Sequence, residues 1–271
     1  MVQARCRNCG AGLHGRYCHL CGQDVFAGAR RSVWSIVFNM LGNVFSLDNK
    51  VLITLTNLIC RPGKLTREYV EGHLVRYVEP GKLFWFVSIL FFATVLSQMN
   101  FDDHPKNIPD EAKQYVPEMV QKDTDEVSLL KRKLDNEKVK AVISTYAPYL
   151  AFVMIPYFAL IIMLFFHRRG KGLFYVDHLV FAFHFHTFVF LLWSVCIWIS
   201  KAFPSFGDNF ESGGLIIIPT LYLFIALYVF YRPRKRSLLL KFPLMSLFYL
   251  VGLVTVIICL AVLLFQIKKL I

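Results

Sequence analysis

Four cysteines near the N-terminus are the residues whose types and spacing point most directly to chemistry. Cys6, Cys9, Cys18 and Cys21 follow the pattern C-x2-C-x8-C-x2-C. Each C-x2-C turn brings two thiolates to one side, and two such turns complete the tetrahedral coordination that Zn2+ prefers. Because four thiolates leave no open position, we expect one structural zinc per chain. A redox dithiol pair or incidental cysteines are the alternatives, but reduced cytosolic thiols favour metal binding.

A polar stripe in an otherwise apolar stretch, 173–200, supplies the other chemical candidates. Asp177, His178, His184 and Thr187 lie in this stretch, and Asp177 and His184 are nearly eclipsed on a helix because they are seven residues apart. Polar groups within a bilayer are costly, so they indicate a functional site by default. One interpretation is a proton-linked or headgroup-binding groove, with Asp177 and His184 as catalytic candidates. The alternative is a set of interhelical hydrogen bonds.

The histidines of this stretch do not form a metal-binding pattern. His184 and His186 point about 200° apart on a helix, and His178 and His186 are separated by about 12 Å along its axis. No two of the three can therefore bind one metal from a regular helix. We expect His184 to be uncharged at neutral pH, since burial disfavours the imidazolium.

A basic segment precedes the first long apolar stretch. Arg61, Lys64, Arg67 and Arg76 lie in it, between Pro62 and Pro80 or directly beside them. Next to a membrane, this pattern is typical of a contact with anionic lipid headgroups. The alternative is ordinary positive charge flanking a span on its cytosolic side. If the polar stripe forms a groove, we expect it to open towards Arg67 and Arg76.

The elements that must position these residues are membrane-spanning helices. The chain has 271 residues, of which 56% are hydrophobic, and its formal net charge is +12. Several stretches are apolar for about 18 residues or more, which suffices to cross a hydrocarbon core about 30 Å thick. This excludes a soluble globular protein, and the positive charge is therefore assigned to membrane sides and not to nucleic acid. The five predicted spans are 81–99, 146–166, 173–200, 214–231 and 242–267.

The distribution of basic residues predicts the orientation. With the N-terminus in the cytosol, 19 of the 30 Lys and Arg residues lie on the cytosolic side, as the positive-inside rule requires. The first 30 residues have no apolar core of a signal peptide. We therefore predict a multi-pass protein of the bacterial inner (cytoplasmic) membrane with a cytosolic N-terminus.

Three parts follow from this organisation. Residues 1–28 form the zinc ribbon, residues 29–80 form interfacial amphipathic helices with the basic segment, and residues 81–271 form the five-span domain. For residues 32–60 a hairpin dipping into the bilayer is the alternative to a helix in the headgroup plane. Loop 100–145 is rich in both charge signs and is interpreted as a solvated extracytoplasmic cap, with a partner-binding loop as the alternative.

Three motifs together resemble one bacterial family of membrane proteins. They are the cysteine knuckles ending in CGQ, the segment RPGKLTREYVEGHLVRYVEPGKLFW at 61–85, and YVDHLVFAFHFHTFVFLL at 175–192. The sequence resembles domain-of-unknown-function family 3667, which implies a zinc-ribbon head and a multi-pass body, but no activity. Asp177 stands where an acidic residue, often Glu, is expected. The other matching positions are Gly63, Tyr69, Gly72, Tyr77 and Pro80 in the second motif, and Tyr175, His178, Phe181, His184 and Phe188 in the third.

The sequence favours a non-enzymatic envelope protein, either an adaptor or a transporter-like module. An enzyme acting on a lipid headgroup is the competing hypothesis, with His184 as acid/base and Asp177 orienting it. An enzyme needs a second catalytic group that converges on His184 from another span, and the sequence offers no obvious one. The expected partners are anionic lipids and a cytosolic protein that binds the ribbon, and no nucleic acid.

Overall fold

The computed structural model describes residues 5–24, 49–98, 150–166, 172–203 and 214–270, with side chains as far as Cys259. The predicted amphipathic helix before Asp48 and loop 100–145 lie outside the described residues. Within the described residues the body of the protein is helical, and the N-terminal segment contributes two isolated β-bridges. The predicted all-α class is thus confirmed for this part of the chain.

Residues 5–24 form two knuckles with the same hydrogen bonds. The N–H of Cys6 donates to the carbonyl oxygen five residues later at 2.8 Å, and the equivalent bond from Cys18 is 2.9 Å long. Gly10 and Gly22 donate back to the carbonyl oxygens of these two cysteines. Both glycines have left-handed backbone angles, with φ of 79° and 72°, which only glycine adopts without strain. The glycine after each C-x2-C pair is therefore what lets the chain turn back.

Seven helices build the described body. Two short helices, α1 and α2, come first and meet at a turn that contains Gly63. The longer helices α3 to α7 form a bundle whose aromatic core includes Phe84, Phe158 and Phe181. The helices are α1 Asn49–Cys60, α2 Lys64–Glu71, α3 Pro80–Ser97, α4 Leu150–Phe166, α5 Tyr175–Ala202, α6 Gly214–Tyr231 and α7 Lys235–Leu270.

Four of these helices, α3, α5, α6 and α7, are long and apolar enough to cross a membrane. The described part of α4 has 17 residues, and residues 146–149 of its predicted span lie outside the described part. Exposed side chains of α7 are mostly large and apolar, as expected for a surface that faces lipid. The chain is therefore a membrane protein, and its fifth crossing stays a prediction.

The relative direction of the helices supports that fifth crossing. α3 and α5 run parallel, because Phe84 lies near Phe183 while Thr94 lies near Trp198. α5 and α6 run antiparallel and are joined by a stacked aromatic pair between Phe188 and Tyr222. If α3 and α5 both span the membrane in one direction, the chain between them must cross back, and α4 is the described helix in that interval.

The corner between α1 and α2 packs deep against the bundle instead of lying beside it. Tyr222 of α6 donates to the carbonyl oxygen of Leu58 at 2.7 Å. Gly63 approaches α6 so closely that a Cβ atom there would lie 2.5 Å from the carbonyl oxygen of Ala226. Ala226 is five residues, or about 7.5 Å, from the end of α6 at Tyr231. The corner thus reaches into the end of the bundle that carries the ribbon, which we call the ribbon-side end.

Candidate functional sites

The four N-terminal thiols converge on one point. The Sγ atoms of Cys6 and Cys21 are 3.6 Å apart, those of Cys9 and Cys18 are 3.5 Å apart, and all four lie within 4.8 Å of one another. Four thiolates at such distances could hold a metal ion. Tetrahedral Zn–S bonds of about 2.3 Å place sulfur atoms about 3.5–4 Å apart, so the geometry fits the zinc expected from the sequence.

One thiol of the cluster is prepared for deprotonation by the local backbone. Backbone hydrogen bonds from Cys21 and Leu20 lower the pKa of the Cys18 thiol to about 6. Cys18 is also buried, so backbone N–H groups of the knuckle, and not water, stabilise the negative charge of its thiolate. A thiolate is the form that binds metal, and the backbone donors of the second knuckle stabilise that form at Cys18.

The ribbon is fastened to the membrane bundle by the residue that follows its last knuckle. The side-chain amide of Gln23 donates to the carbonyl oxygen of Gly72 at 2.8 Å, and its oxygen accepts from the N–H of Leu74 at 3.4 Å. Gln23 is buried. Gly72 has a φ of 110°, and a Cβ atom there would meet the Arg7 side chain at 3.0 Å. A ribbon residue thus caps the linker that joins α2 to α3.

Two of the four predicted headgroup-binding residues, Lys64 and Arg76, lie around the carboxylate of Glu68. Lys64 forms an ion pair with Glu68 at 3.4 Å, and Arg76 lies over the ring of Tyr77. The hydroxyl of Tyr77 donates to Glu68. Partial burial raises the pKa of Glu68, but the Tyr77 hydrogen bond and the Lys64 charge more than offset it and lower the pKa. Burial and this bond raise the pKa of Tyr77 to about 12.

Arg67 faces a different surface from the other basic residues of its segment. It lines a cleft together with Arg232, which follows the end of α6. Arg61 is exposed and does not line this cleft. No sequence pattern joins Arg67 with Arg232, because the two residues are 165 positions apart and helix periodicity does not relate residues of separate helices.

The imidazole of His184 is bound by the α2 helix. Its Nδ1 atom lies 2.9 Å from the hydroxyl of Thr66, and the ring meets Tyr69 edge-on with centroids 6.2 Å apart. His184 is 3% exposed. Its Nε2 atom is buried and has no hydrogen-bond partner among the described residues. Thr66 was not singled out from the sequence, although it lies within the recognised basic segment.

The other residues of the predicted polar stripe bond to separate neighbours. Asp177 accepts from the N–H of Phe174 at 2.8 Å and so caps the start of α5. His178 lies 2.6 Å from the hydroxyl of Tyr231. Thr187 donates to a carbonyl oxygen of its own helix. The stripe therefore makes interhelical and capping contacts along its length, and the group that orients the His184 ring is Thr66.

Comparison with known proteins adds one match. Residues 48–92 match the model of a family described as a protein of unknown function, DUF3667. The resemblance predicted from the sequence is thus confirmed over this segment, which contains α1, α2 and the first part of α3. The cysteine knuckles and the histidine-containing helix lie outside the matched residues. No curated protein and no solved structure matches the chain.

Proposed function

We propose that this chain is a non-enzymatic adaptor of the bacterial inner membrane whose zinc-folded head is held at a fixed place above the membrane. The observation that supports this most is the pair of hydrogen bonds between Gln23 and the linker at Gly72 and Leu74. A head on a free tether would need no such buried contact. A head that is fastened presents its remaining surface in a defined orientation to a partner.

Zinc supplies the folding energy of this head. Some 20 residues cannot build a sufficient hydrophobic core, so small domains of this size rely on metals or disulfides. The four clustered cysteines provide a closed donor set, which suits a structural ion and leaves no site for substrate. Gln23 follows Cys21 by two residues, so the metal-bound knuckle also sets the position of the docking amide.

The surface left open on the ribbon supports an interaction with a cytosolic protein. Tyr17 is 60% exposed and Leu20 is 72% exposed, while Gln23 on the same knuckle is buried against the bundle. Arg16 lies over the Tyr17 ring at 5.4 Å and pairs with Asp24 at 3.1 Å. Tyrosine and arginine are enriched at protein interfaces and among their strongest anchors, and the exposed Leu20 adds apolar surface in the same segment.

The groups inside the bundle favour an adaptor over an enzyme. Among the described residues, the four cysteines are the one group of three or more His, Cys, Asp or Glu side chains that could share an ion. His184 meets a threonine, and Asp177 caps its own helix about 10.5 Å away along the axis. An acid/base pair needs both groups within reach of one substrate atom, and this arrangement does not provide that.

The proposed topology has five spans with the ribbon in the cytosol. The parallel direction of α3 and α5 supports one crossing between them, which together with α3, α5, α6 and α7 makes five. A cysteine introduced at Lys171 should resist an impermeant reagent in intact cells, and one introduced in loop 100–145 should react. Labelling at Lys171 would show that the orientation is the opposite one. The ribbon would then lie outside the cytosol, which would contradict a cytosolic partner.

Photo-crosslinking in cells tests the adaptor role. A crosslinking residue in place of Leu20 should give one discrete protein adduct, and the additional change Cys18→Ser should abolish it while the membrane domain is retained. The same residue in place of Gln98, at the other end of α3, is the matched control and should not give this adduct. If Leu20 yields no adduct and a deletion strain accumulates one lipid species, the enzyme hypothesis replaces the adaptor.

A further inference from the structure

A cleft with apolar walls and a basic rim opens at the ribbon-side end of the bundle. It lies where α4 and α6 end and α5 begins, and its apolar walls are Phe166, Leu173 and Phe230. Arg67 and Arg232 line both this cavity of about 210 Å³ and an adjoining one of about 450 Å³. Helix ends of a membrane bundle lie at the level of the lipid headgroups. The cleft thus combines charged and apolar groups at the depth where charged lipid headgroups meet the start of the acyl chains.

The side chains that line this cleft include two guanidinium groups and one carboxylate. Among the described residues, no carboxylate forms an ion pair with Arg67 or Arg232. Glu71 lines the same cavity and offsets one of the two charges. Asp177 interacts electrostatically with the lining residue Tyr231, but its carboxylate does not line the cleft and accepts a hydrogen bond from a backbone N–H at the start of α5. Among the lining residues, an anion therefore meets two guanidinium groups and one carboxylate.

Arg232 occupies its place at a conformational cost. Its φ is 47°, in the left-handed region that side-chain-bearing residues rarely adopt. The N–H of Arg232 closes the end of α6 by donating to the carbonyl oxygen of Tyr228 at 3.0 Å, and glycine is the usual residue at such a position. A strained residue at a cleft is a reason to seek a role for its side chain. A guanidinium aimed at a phosphate is such a role, because its donors match phosphate oxygens in pairs.

From these observations we infer that the cleft between Arg67 and Arg232 binds the phosphate of an anionic phospholipid headgroup. The two guanidinium groups hold the phosphate, and the apolar walls contact the start of the acyl chains. This site does not depend on the proposed adaptor role, since it requires only that the bundle lies in a membrane. Of the four basic residues predicted to bind headgroups, Arg67 is the one that binds the phosphate in this site, and Arg232 is the second residue that binds it.

Lipid retention by the full-length protein tests this site. The protein would be reconstituted in phosphatidylcholine nanodiscs with and without phosphatidylglycerol, an anionic lipid, and bound lipid would be counted by native mass spectrometry. We expect one phosphatidylglycerol to be retained, and Arg67→Gln or Arg232→Gly to weaken its binding about tenfold or more. Arg61→Gln and Arg234→Gln remove the same charge outside the cleft and should leave binding nearly unchanged.

The variants separate a specific site from other causes. Arg232→Gly suits the left-handed backbone, so its thermal stability should be retained or raised while lipid binding falls. Arg67→Lys keeps the charge and should bind at an intermediate level if the protein folds. Equal small losses in all four charge variants would show general attraction to an anionic surface and overturn the site. Competition by millimolar glycerol phosphate in place of lipid would overturn the lipid assignment in favour of a soluble phosphate.

Discussion

Replacement of Gly63 by alanine tests whether the α1–α2 corner is inserted into the bundle. Gly63 has a φ of 74°, and its added Cβ atom would lie 2.5 Å from the carbonyl oxygen and 3.0 Å from the Cα atom of Ala226. Left-handed strain costs about 1–2 kcal/mol, and overpacking costs about 1–3 kcal/mol more. We therefore expect Gly63→Ala to lower the free energy of unfolding by about 2–5 kcal/mol.

A second glycine separates the two contributions. Gly172 has a similar φ of 63°, but apart from its chain neighbours no atom of the described residues lies within 4 Å of a Cβ built there. Gly172→Ala should therefore cost only the strain, about 1–2 kcal/mol. Unfolding of both variants in mixed micelles by sodium dodecyl sulfate measures the difference. Because the contacts of Gly63 are with backbone atoms, Ala226→Gly should not rescue Gly63→Ala. Equal losses for the two alanine variants would refute the close approach of the corner to α6.

Three further substitutions probe the contacts that join separate parts of the chain. Gln23→Ala should leave a linker carbonyl without its donor and lower the free energy of unfolding by about 1–3 kcal/mol; an unchanged value in the same titration would show that the ribbon is not docked. Thr66→Val keeps the shape of the side chain but removes the hydrogen bond to His184, so the melting temperature in detergent should fall. An unchanged melting temperature would show that Thr66 does not bind the imidazole of His184. The lowered pKa of Glu68 means that its contribution to stability is present above about pH 4.3, the unperturbed value, and is lost as the pH falls through the lower folded value. Tyr77→Phe removes a hydrogen bond to this carboxylate, so the variant should lose less stability between pH 6 and pH 3 than the parent protein does. An identical pH profile for the two proteins would contradict the cause given for this shift.

Local patterns in the sequence sufficed for the thiol cluster and for most of the bundle. The spacing of the cysteines determines the knuckles because each turn closes within five residues. Apolar length alone marks α3, α5, α6 and α7 as membrane helices, since the thickness of the bilayer sets the length of a span. Both features depend on neighbours in sequence and therefore need no knowledge of the fold.

Contacts between distant segments could not be read from the same patterns. His184 was recognised as a polar residue in an apolar helix, but its partner Thr66 is 118 positions away. Gln23 carried no signal beyond its place after the last knuckle, since an amide side chain suits many surroundings. Arg232 belongs to a run of basic residues, and only the fold shows that it, and not Arg234, lines the cleft. Helix periodicity predicts which face a residue occupies but not which helix meets that face.

Hydrogen exchange of the full-length protein before and after zinc chelation tests the central claim most directly. If the metal folds the ribbon and Gln23 docks it, chelation should increase exchange in residues 5–24 and also in the linker 72–79, where the N–H of Leu74 meets Gln23. Exchange in α5 should stay unchanged, and elemental analysis of the same sample should give one zinc per chain. Faster exchange in the ribbon with an unchanged linker would contradict the claim that the metal-folded head is fastened to the membrane bundle.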